Sequence, residues 1–579
     1  MSSNAVFKFW LGNDYFDEQT REELQKIKDD PKEIEDRFYK YLDFGTGGLR
    51  GIIGAGTNRM NIYTVRRASQ GLADFVNSIN AADKGIVIAY DSRNMSPEFA
   101  LEAAKVFAGN GIKAYLFDEL RPTPELSFAV RYLKAAAGIV ITASHNPKEY
   151  NGYKVYGEDG GQLPLEESNQ VLGFMNKIED ITSVTFMEKD EAIEKGLIKI
   201  IGKEVDDAYI SMLKSLSVNP DLAKSIGENF KIVYTPLHGS GNKPVRRILD
   251  EIGFKNVLVV KEQELPDKDF STVKSPNPEE KEAFTLAIEL AKKENVDLII
   301  GTDPDSDRVG VVARNKEGEY VTLTGNQTGC LLLEYILSQK KAKGTLPTNG
   351  FVVKTIVTTE LSREIAREYG VELIEVLTGF KFIGEQIKLL DENGDKKYLF
   401  GFEESYGYLA GTSVRDKDAV VASMLIAEMA AYYKSRDMSL YDGLMELLNK
   451  YGYTIEGIKS FTLKGKEGID KIKFALSKMR EDEITKFGSI EAAAVRDYQK
   501  GERHEITTGK RETIDLPESD VLYYEMQDGK SWFCIRPSGT EPKIKIYYGV
   551  TDNGMEAAEN KLEQVQSNVL GVVENLLFE

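Results

Sequence analysis

Three aspartates stand at alternate positions, Asp303, Asp305 and Asp307, in the stretch GTDPDSDRVG (residues 301–310), directly after an apolar run. Carboxylates this close repel one another unless a cation relieves them. Alternate residues of an extended segment point to one side, so the spacing predicts one cation at the end of a strand. The EF-hand pattern is not met, because the sixth loop position is Arg308 rather than Gly and the twelfth is Arg314 rather than Glu. Three hard oxygen ligands with open positions suit Mg²⁺, which keeps few protein ligands and takes phosphate oxygens readily.

A second set of reactive residues lies in AAGIVITASHNPKEYNGYKVYG (residues 136–157), where the β-branched run Ile139-Val140-Ile141 ends in Thr142, Ser144, His145 and Asn146. Asn-Pro and Asn-Gly are turn formers, so a plain turn is one reading and a nucleophile loop the other. Ser144 does not suit a hydrolase triad: G-x-S-x-G is missing, and the chain has only three histidines, His145, His238 and His504. IRPSGTEPK (residues 535–543) offers a guanidinium at Arg536, hydroxyls at Ser538 and Thr540, and backbone N–H donors around Gly539. That set can cradle a phosphate, or simply turn a hairpin. GFEESYG (residues 401–407) pairs two acids with a serine, for acid/base work or for accepting hydrogen bonds from sugar hydroxyls. VRDKD (414–418) mixes charges where a loop meets a helix, and GTGGLRG (45–51) is a glycine run with one arginine and no Walker Lys-Ser/Thr.

The elements that must position these loops recur three times. GIVIAYDSR (85–93), FKIVYTPLHGSG (230–241) and GFVVKTIV (350–357) each read as a strand, followed by a helix and a second strand. Each helix closes at a glycine, Gly111, Gly253 or Gly370, as expected of a residue just past a helix end. Each unit then continues through more helix to one further strand: GIVITAS, VDLIIGTD or KYLFGFEE. Alternation of this kind predicts mostly parallel α/β sheets, whose ligands bind beyond the carboxyl ends of the strands. Ser144, the aspartate triplet and the Glu403 segment therefore occupy equivalent strand ends and are expected to share one site. Their loops are expected to face the surface. From about residue 450 the pattern changes to strand, helix, and a strand–loop–strand at 531–550 followed by a final helix, which predicts a smaller α+β domain.

Bulk properties narrow the function. At 579 residues the chain needs several cores. A formal net charge of −19 argues against a general binder of nucleic acid or anionic membrane, though not against a local anion pocket. Two distant cysteines, Cys330 and Cys534, argue against a disulfide framework and fit a reducing, cytoplasmic setting. The start MSSNAVFKFWLGNDYFDE does not read as a secretory leader. The most apolar window, 419–433, is too short to span a bilayer, contains Glu428, and reads as a buried helix.

In this order, TASHNP, GTDPDSDR, GFEES and RPSGTEPK resemble the α-D-phosphohexomutases, the phosphoglucomutase and phosphomannomutase superfamily, over nearly the whole chain. GTGGLRG…TNRMN and NGYKVYG resemble the branch with bacterial α-phosphoglucomutases and animal phosphopentomutase-like enzymes. One departure is the Gly at 47, where many members have Ser, so no hydroxyl is assigned there. The resemblance implies three similar α/β domains and a C-terminal α+β domain around a cleft: 1–205 with the phosphoserine, 206–324 with the metal, 325–448 for the sugar and 449–579 for a phosphate. It implies that Ser144 is the phosphoserine and that Asp303, Asp305 and Asp307 hold Mg²⁺ against its phosphate. Glu403 and Ser405 would grip sugar hydroxyls beside Thr378 and Gly379. Arg536, Ser538, Gly539 and Thr540 would bind the non-reacting phosphate. Arg50, His145, Lys154, Arg308 and Lys417 would line the reacting end, with Lys154 or Lys417 as the proton carrier. The implied reaction interconverts α-D-glucose 1-phosphate and glucose 6-phosphate through glucose 1,6-bisphosphate. Mannose or pentose phosphates, a sugar-bisphosphate synthase and a non-catalytic phosphosugar sensor are the alternatives. The expected partner is a small phosphosugar, with no nucleic acid or membrane, in a monomer or a dimer.

Overall fold

A computed structural model describes residues 2–45, 47–463, 465–538 and 542–578. It contains two compact units, Met1–Thr328 with Ile383–Tyr441, and Gly329–Phe382 with Asp442–Glu579.

In the first unit a six-stranded sheet runs in the order Gly48–Ile52, Tyr150–Gly157, Ala137–Ile141, Ile86–Tyr90, Ala114–Phe117, Ile198–Ile201. The first two pairings are antiparallel and the rest parallel. Ile139 and Val140 are fully buried, as are Ile86, Val87 and Ile88 on the neighbouring strand. Such uninterrupted apolar runs are what a sheet covered on both faces requires. A five-stranded sheet follows, in the order Tyr320–Leu323, Val309–Arg314, Leu298–Thr302, Lys231–Thr235, Asn256–Val259. Its last two pairings are parallel. The same unit holds the antiparallel pair Lys397–Glu403 and Gly407–Leu409, followed by the helix Ala419–Lys434. That helix is buried along nearly its whole length, as its composition predicts. No helix among the described residues is long and apolar enough to cross a membrane.

In the second unit Gly350–Thr355 pairs in parallel with Glu372–Val376. The C-terminal part is an antiparallel sheet from Tyr453–Thr462 through Lys543–Asp552, Trp532–Pro537, Leu522–Met526 and Ile490–Asp497 to two short strands. The helices Gly465–Glu481 and Met555–Phe578 pack on it. The expected change of architecture near residue 450 is therefore present. Cys330 and Cys534 are both free and buried. The expected glycine stops are also found: Gly111 and Gly370 are left-handed (φ 75° and 66°) one residue past a helix cap, and Gly253 follows its helix directly.

Candidate active site

Ser144 leaves its strand in a left-handed conformation (φ 52°), and its backbone N–H donates to Thr142 Oγ1 at 2.8 Å. The Ser144 hydroxyl donates to Asp303 Oδ2 at 2.8 Å and lies 3.3 Å from His145 Nδ1. Ser144 is only 4% exposed, so the expectation of a surface-facing loop is corrected: residues of the second α/β repeat cover it.

The aspartates do converge, with ligand oxygens within 4.8 Å of one another. Strand alternation is not how they do so. The strand ends at Thr302, and residues 303–308 form a tight turn with Ser306 left-handed (φ 52°). The backbone N–H groups of Asp307 and Arg308 donate to Asp303 Oδ1 at 3.1 and 3.0 Å, which folds the segment back on its first carboxylate. Asp305 Oδ2 accepts from Thr123 Oγ1 at 3.0 Å and Lys154 Nζ at 2.7 Å. Asp305 Oδ1 and Asp307 Oδ1 are buried and accept no hydrogen bond among the described residues. Buried carboxylate oxygens of this kind carry a large desolvation cost unless a cation meets them, so the donor set fits a hard divalent ion.

The electrostatics follow from the crowding. Burial pushes the Asp303 carboxyl well above the usual carboxylate range, and Asp305 and Asp307 add to the shift. Burial would raise Asp305 too, but the Lys154 ammonium, the hydrogen bond shared with Asp303 and the Lys417 charge together outweigh it and hold the carboxyl low. Burial lowers the affinity of Lys154 for its proton, yet Asp305 and Asp307 reverse this. Lys417 is raised in the same way, with burial opposed by Asp307 and Asp416. His145 is pulled down to about 2 by burial, assisted by the cations Arg308 and Arg50, so its imidazole is neutral at physiological pH.

Each lysine reaches the site by a different route. Lys154 comes from the strand Tyr150–Gly157, whose antiparallel partner carries Arg50 opposite Gly152. A Cβ on Gly48 would lie 2.2 Å from Tyr153 O, so this glycine serves the close strand pairing. Arg50 Nη1 donates to Asn146 Oδ1 at 3.2 Å. Lys417 Nζ lies 3.3 Å from Asp307 Oδ2 and 3.1 Å from Asp416 Oδ1, just before Asp418, which caps the helix Ala419–Lys434 through the N–H groups of Val420 and Val421. Glu403 is 5% exposed and hydrogen-bonded by Ser405; burial raises its carboxyl above the usual range, while Lys417 and Arg308 oppose the shift. Arg308 is paired with Glu279 and lies 3.9 Å from Asp307.

Sequence reasoning missed three contributors. Thr123, fully buried at the start of the helix Thr123–Leu133, carries Asp305 by its hydroxyl and by a backbone N–H at 2.9 Å. Its only local signal was the proline pair in RPTPELS, which marks a helix start. Tyr156 donates to Asp416 at 2.8 Å. Gly407 leaves the space through which Lys417 passes: a Cβ there would sit 2.2 Å from Lys417 Cδ and 3.1 Å from Glu403 Oε1. Gly407→Ala is expected to push the ammonium off Asp307 and to lower kcat about tenfold or more in folded protein. A kcat within twofold of the parent would show that Lys417 does not need this position.

The remaining expected residues lie in the second unit. Gly379 is left-handed (φ 125°), and the buried Thr378 Oγ1 has no hydrogen-bond partner among the described residues. Arg536 stands directly across the sheet from Lys545, and the Ser538 N–H donates to Lys543 O at 2.7 Å. Two cations facing each other across strands are unfavourable unless an anion is near. Gly539 and Thr540 lie outside the described residues.

Comparison with known proteins gives one answer. Family models described as "Phosphoglucomutase/phosphomannomutase, alpha/beta/alpha domain" I, II and III match residues 42–182, 207–318 and 324–451. A phosphoglucomutase of Staphylococcus saprophyticus is 36% identical over 561 residues, covering 96% of this chain and 98% of that one. Among solved structures, a phosphomannomutase from Thermus thermophilus superposes with a TM-score of 0.67 at 22% identity, over 93% of this chain and 99% of that one. Parafusin, a phosphoglucomutase from Paramecium in an open form, superposes with a TM-score of 0.69 at 16% identity, over 92% and 95%.

Proposed function

We propose, from the premise that this chain belongs to the phosphoglucomutase/phosphomannomutase family, that it interconverts α-D-glucose 1-phosphate and glucose 6-phosphate through a phosphoserine at Ser144. The chain is a mutase of the isomerase class. The observation that carries the assignment of Ser144 is its hydroxyl, 2.8 Å from Asp303, beside two buried carboxylate oxygens without hydrogen-bond partners among the described residues.

In this reading the phosphoryl group on Ser144 Oγ passes to the free sugar hydroxyl: the P–O bond to the serine breaks and one to the sugar forms. The proton carrier, the ammonium of Lys154 or Lys417, gives a proton to the departing Ser144 Oγ and takes that of the sugar hydroxyl in return. Glucose 1,6-bisphosphate results, and after it turns over, Ser144 Oγ takes the other phosphoryl group. Phosphoryl transfer needs charge neutralisation and in-line placement more than covalent assistance. Lys154 and Lys417, both held cationic, neutralise charge on the transferring group. The neutral His145 imidazole orients the serine oxygen. Glu403 and Ser405 accept and donate to sugar hydroxyls, joined by Thr378 and Gly379. Arg536 and Ser538, with Gly539 and Thr540, take the non-reacting phosphate, and Arg50 and Arg308 complete the cationic lining. Asp303, Asp305 and Asp307 would hold Mg²⁺, which when bound supplies positive charge against the phosphate oxygens. A phosphosugar partner and a cytoplasmic setting complete the reading, as does division into four domains near residues 205, 324 and 448.

Two measurements test it. The Ser144 peptide of the purified protein is expected to carry an adduct of about 80 Da, the mass of one phosphoryl group. Side-by-side kinetics with glucose, mannose and ribose 1-phosphates are expected to give the highest kcat/KM for glucose 1-phosphate. A higher value for the mannose or ribose ester overturns the substrate assignment. Absence of all turnover would favour a sensor, and bisphosphate formation only from another phosphoryl donor would favour a synthase.

A further inference from the structure

The strand Ile86–Tyr90 ends in Asp91-Ser92-Arg93, and both charged side chains are completely shielded from solvent. An arginine buried this deeply must spend its donors on specific acceptors. Arg93 spends its two terminal nitrogens on carbonyls of one loop, while its Nε lies 3.4 Å from Asp91 Oδ2. Its Nη2 donates to Ser144 O at 2.5 Å and also to Asn146 O, and its Nη1 donates to Pro147 O at 2.9 Å and Tyr150 O at 3.1 Å. The carbonyls of the serine loop are thus gathered onto one planar fork. Phe270 covers the guanidinium, with its ring centroid 5.0 Å away.

Asp91 works from the other side of the same loop. Its Oδ2 accepts from Thr142 Oγ1 at 2.7 Å, and Thr142 Oγ1 in turn accepts the Ser144 N–H at 2.8 Å. Its Oδ1 accepts from the Arg93 N–H at 2.9 Å and Ser96 Oγ at 2.7 Å. The Thr142 hydroxyl has one proton, and giving it to the carboxylate leaves the oxygen free to accept from Ser144. The N–H and the C=O of Ser144 are therefore both fixed by one Asp-x-Arg pair. Ser144 has a left-handed backbone (φ 52°), a conformation that is unfavourable for a residue with a side chain and persists only where its surroundings impose it.

We propose that Asp91 and Arg93, acting through Thr142 and the loop carbonyls, are positioning residues that aim Ser144 Oγ at Asp303; the inference rests on the reading of Ser144 as the phosphoryl carrier. Both side chains are shielded from solvent and so cannot touch a bound sugar, and their loss is expected to affect the rate of transfer and not substrate affinity. Misplacing a reacting atom by about 1 Å costs on the order of a hundredfold in rate.

The test uses the full-length protein with saturating Mg²⁺ and glucose 1-phosphate, comparing Thr142→Val, Thr142→Ser, Arg93→Lys and Ser144→Ala. Valine keeps the shape of threonine and removes the hydroxyl relay, so kcat is expected to fall about tenfold or more, with KM within about threefold of the parent. Serine restores the hydroxyl and is expected to recover kcat to within about threefold. Lysine cannot reproduce the planar fork, and Arg93→Lys is expected to lose about a hundredfold in kcat. If Arg93→Lys does not fold, the Thr142 pair decides. Positioning is overturned if folded Thr142→Val keeps kcat within twofold of the parent, if Thr142→Ser is as impaired as the valine variant, or if KM rises as much as kcat falls. An active Ser144→Ala protein would instead overturn the phosphoserine reading. An inactive Ser144→Ala beside a fully active Thr142→Val removes the positioning role alone.

Discussion

Ser144→Ala is expected to abolish mutase turnover, with kcat at least about a thousandfold below the parent, because in the proposed reaction every phosphoryl group passes through the one oxygen this change removes. The remaining site cannot substitute, since no second hydroxyl donates to the Asp303 carboxylate among the hydrogen bonds of the described residues. The fold is expected to survive. The change removes one hydrogen bond to a buried carboxylate, worth about 1–3 kcal/mol, and alanine tolerates the left-handed backbone about as well as serine does. A melting temperature within about 5 °C of the parent is therefore expected. Steady-state kinetics with glucose 1-phosphate, together with mass measurement of the intact chain, check both halves. Turnover within tenfold of the parent would mean that the phosphoryl group travels by another route.

Removing the metal is expected to have the next largest effect. Treatment with EDTA should lower activity at least about a hundredfold, and excess Mg²⁺ should restore it. Without a cation, three carboxylates whose ligand oxygens lie within 4.8 Å are left to repel one another. Lys154 and Lys417 then meet their charge instead of that of a phosphate. Asp305→Asn separates ligand loss from collapse of the loop. Asparagine can still accept from Thr123 and Lys154 but loses a negative charge at the unpartnered Oδ1. It is expected to raise the Mg²⁺ needed for half-maximal activity about tenfold or more and to lower the maximal rate. Metal-free protein with full activity would overturn the metal assignment, and an unchanged Mg²⁺ requirement in Asp305→Asn would remove Asp305 from the ligand set.

Much of this was legible before any folding was considered, because it is local. An apolar run followed by a polar cluster marks the end of a strand, and each of the three repeats carries such an end. The carboxylates at 303, 305 and 307 read as a group able to hold a cation because their repulsion is built into five consecutive residues. Helix stops at Gly111, Gly253 and Gly370 and the change to a smaller α+β part near residue 450 were equally readable from short windows. Even there, local reasoning erred on how the aspartates converge. Alternation along a strand was the expectation, but a turn closed by N–H groups on Asp303 is what occurs, since Pro304 cannot donate to a ladder and Ser306 takes a left-handed conformation.

Only the tertiary structure decided which distant residues meet. Thr123 reaches Asp305 across 182 positions and Ser144 reaches Asp303 across 159. Lys154 and Lys417 meet on Asp307 through strand register and a helix cap. Nothing near Gly407 in sequence shows that a lysine stem passes over it, and nothing in the Asp91-Ser92-Arg93 triplet shows that it holds a loop 51 residues onward. Residue type and spacing fix what a loop can do chemically, because those properties act over a few bonds. Which cation neutralises which carboxylate, and which buried donor holds the serine, depends on packing between elements far apart in the chain, and short-range patterns carry no record of it.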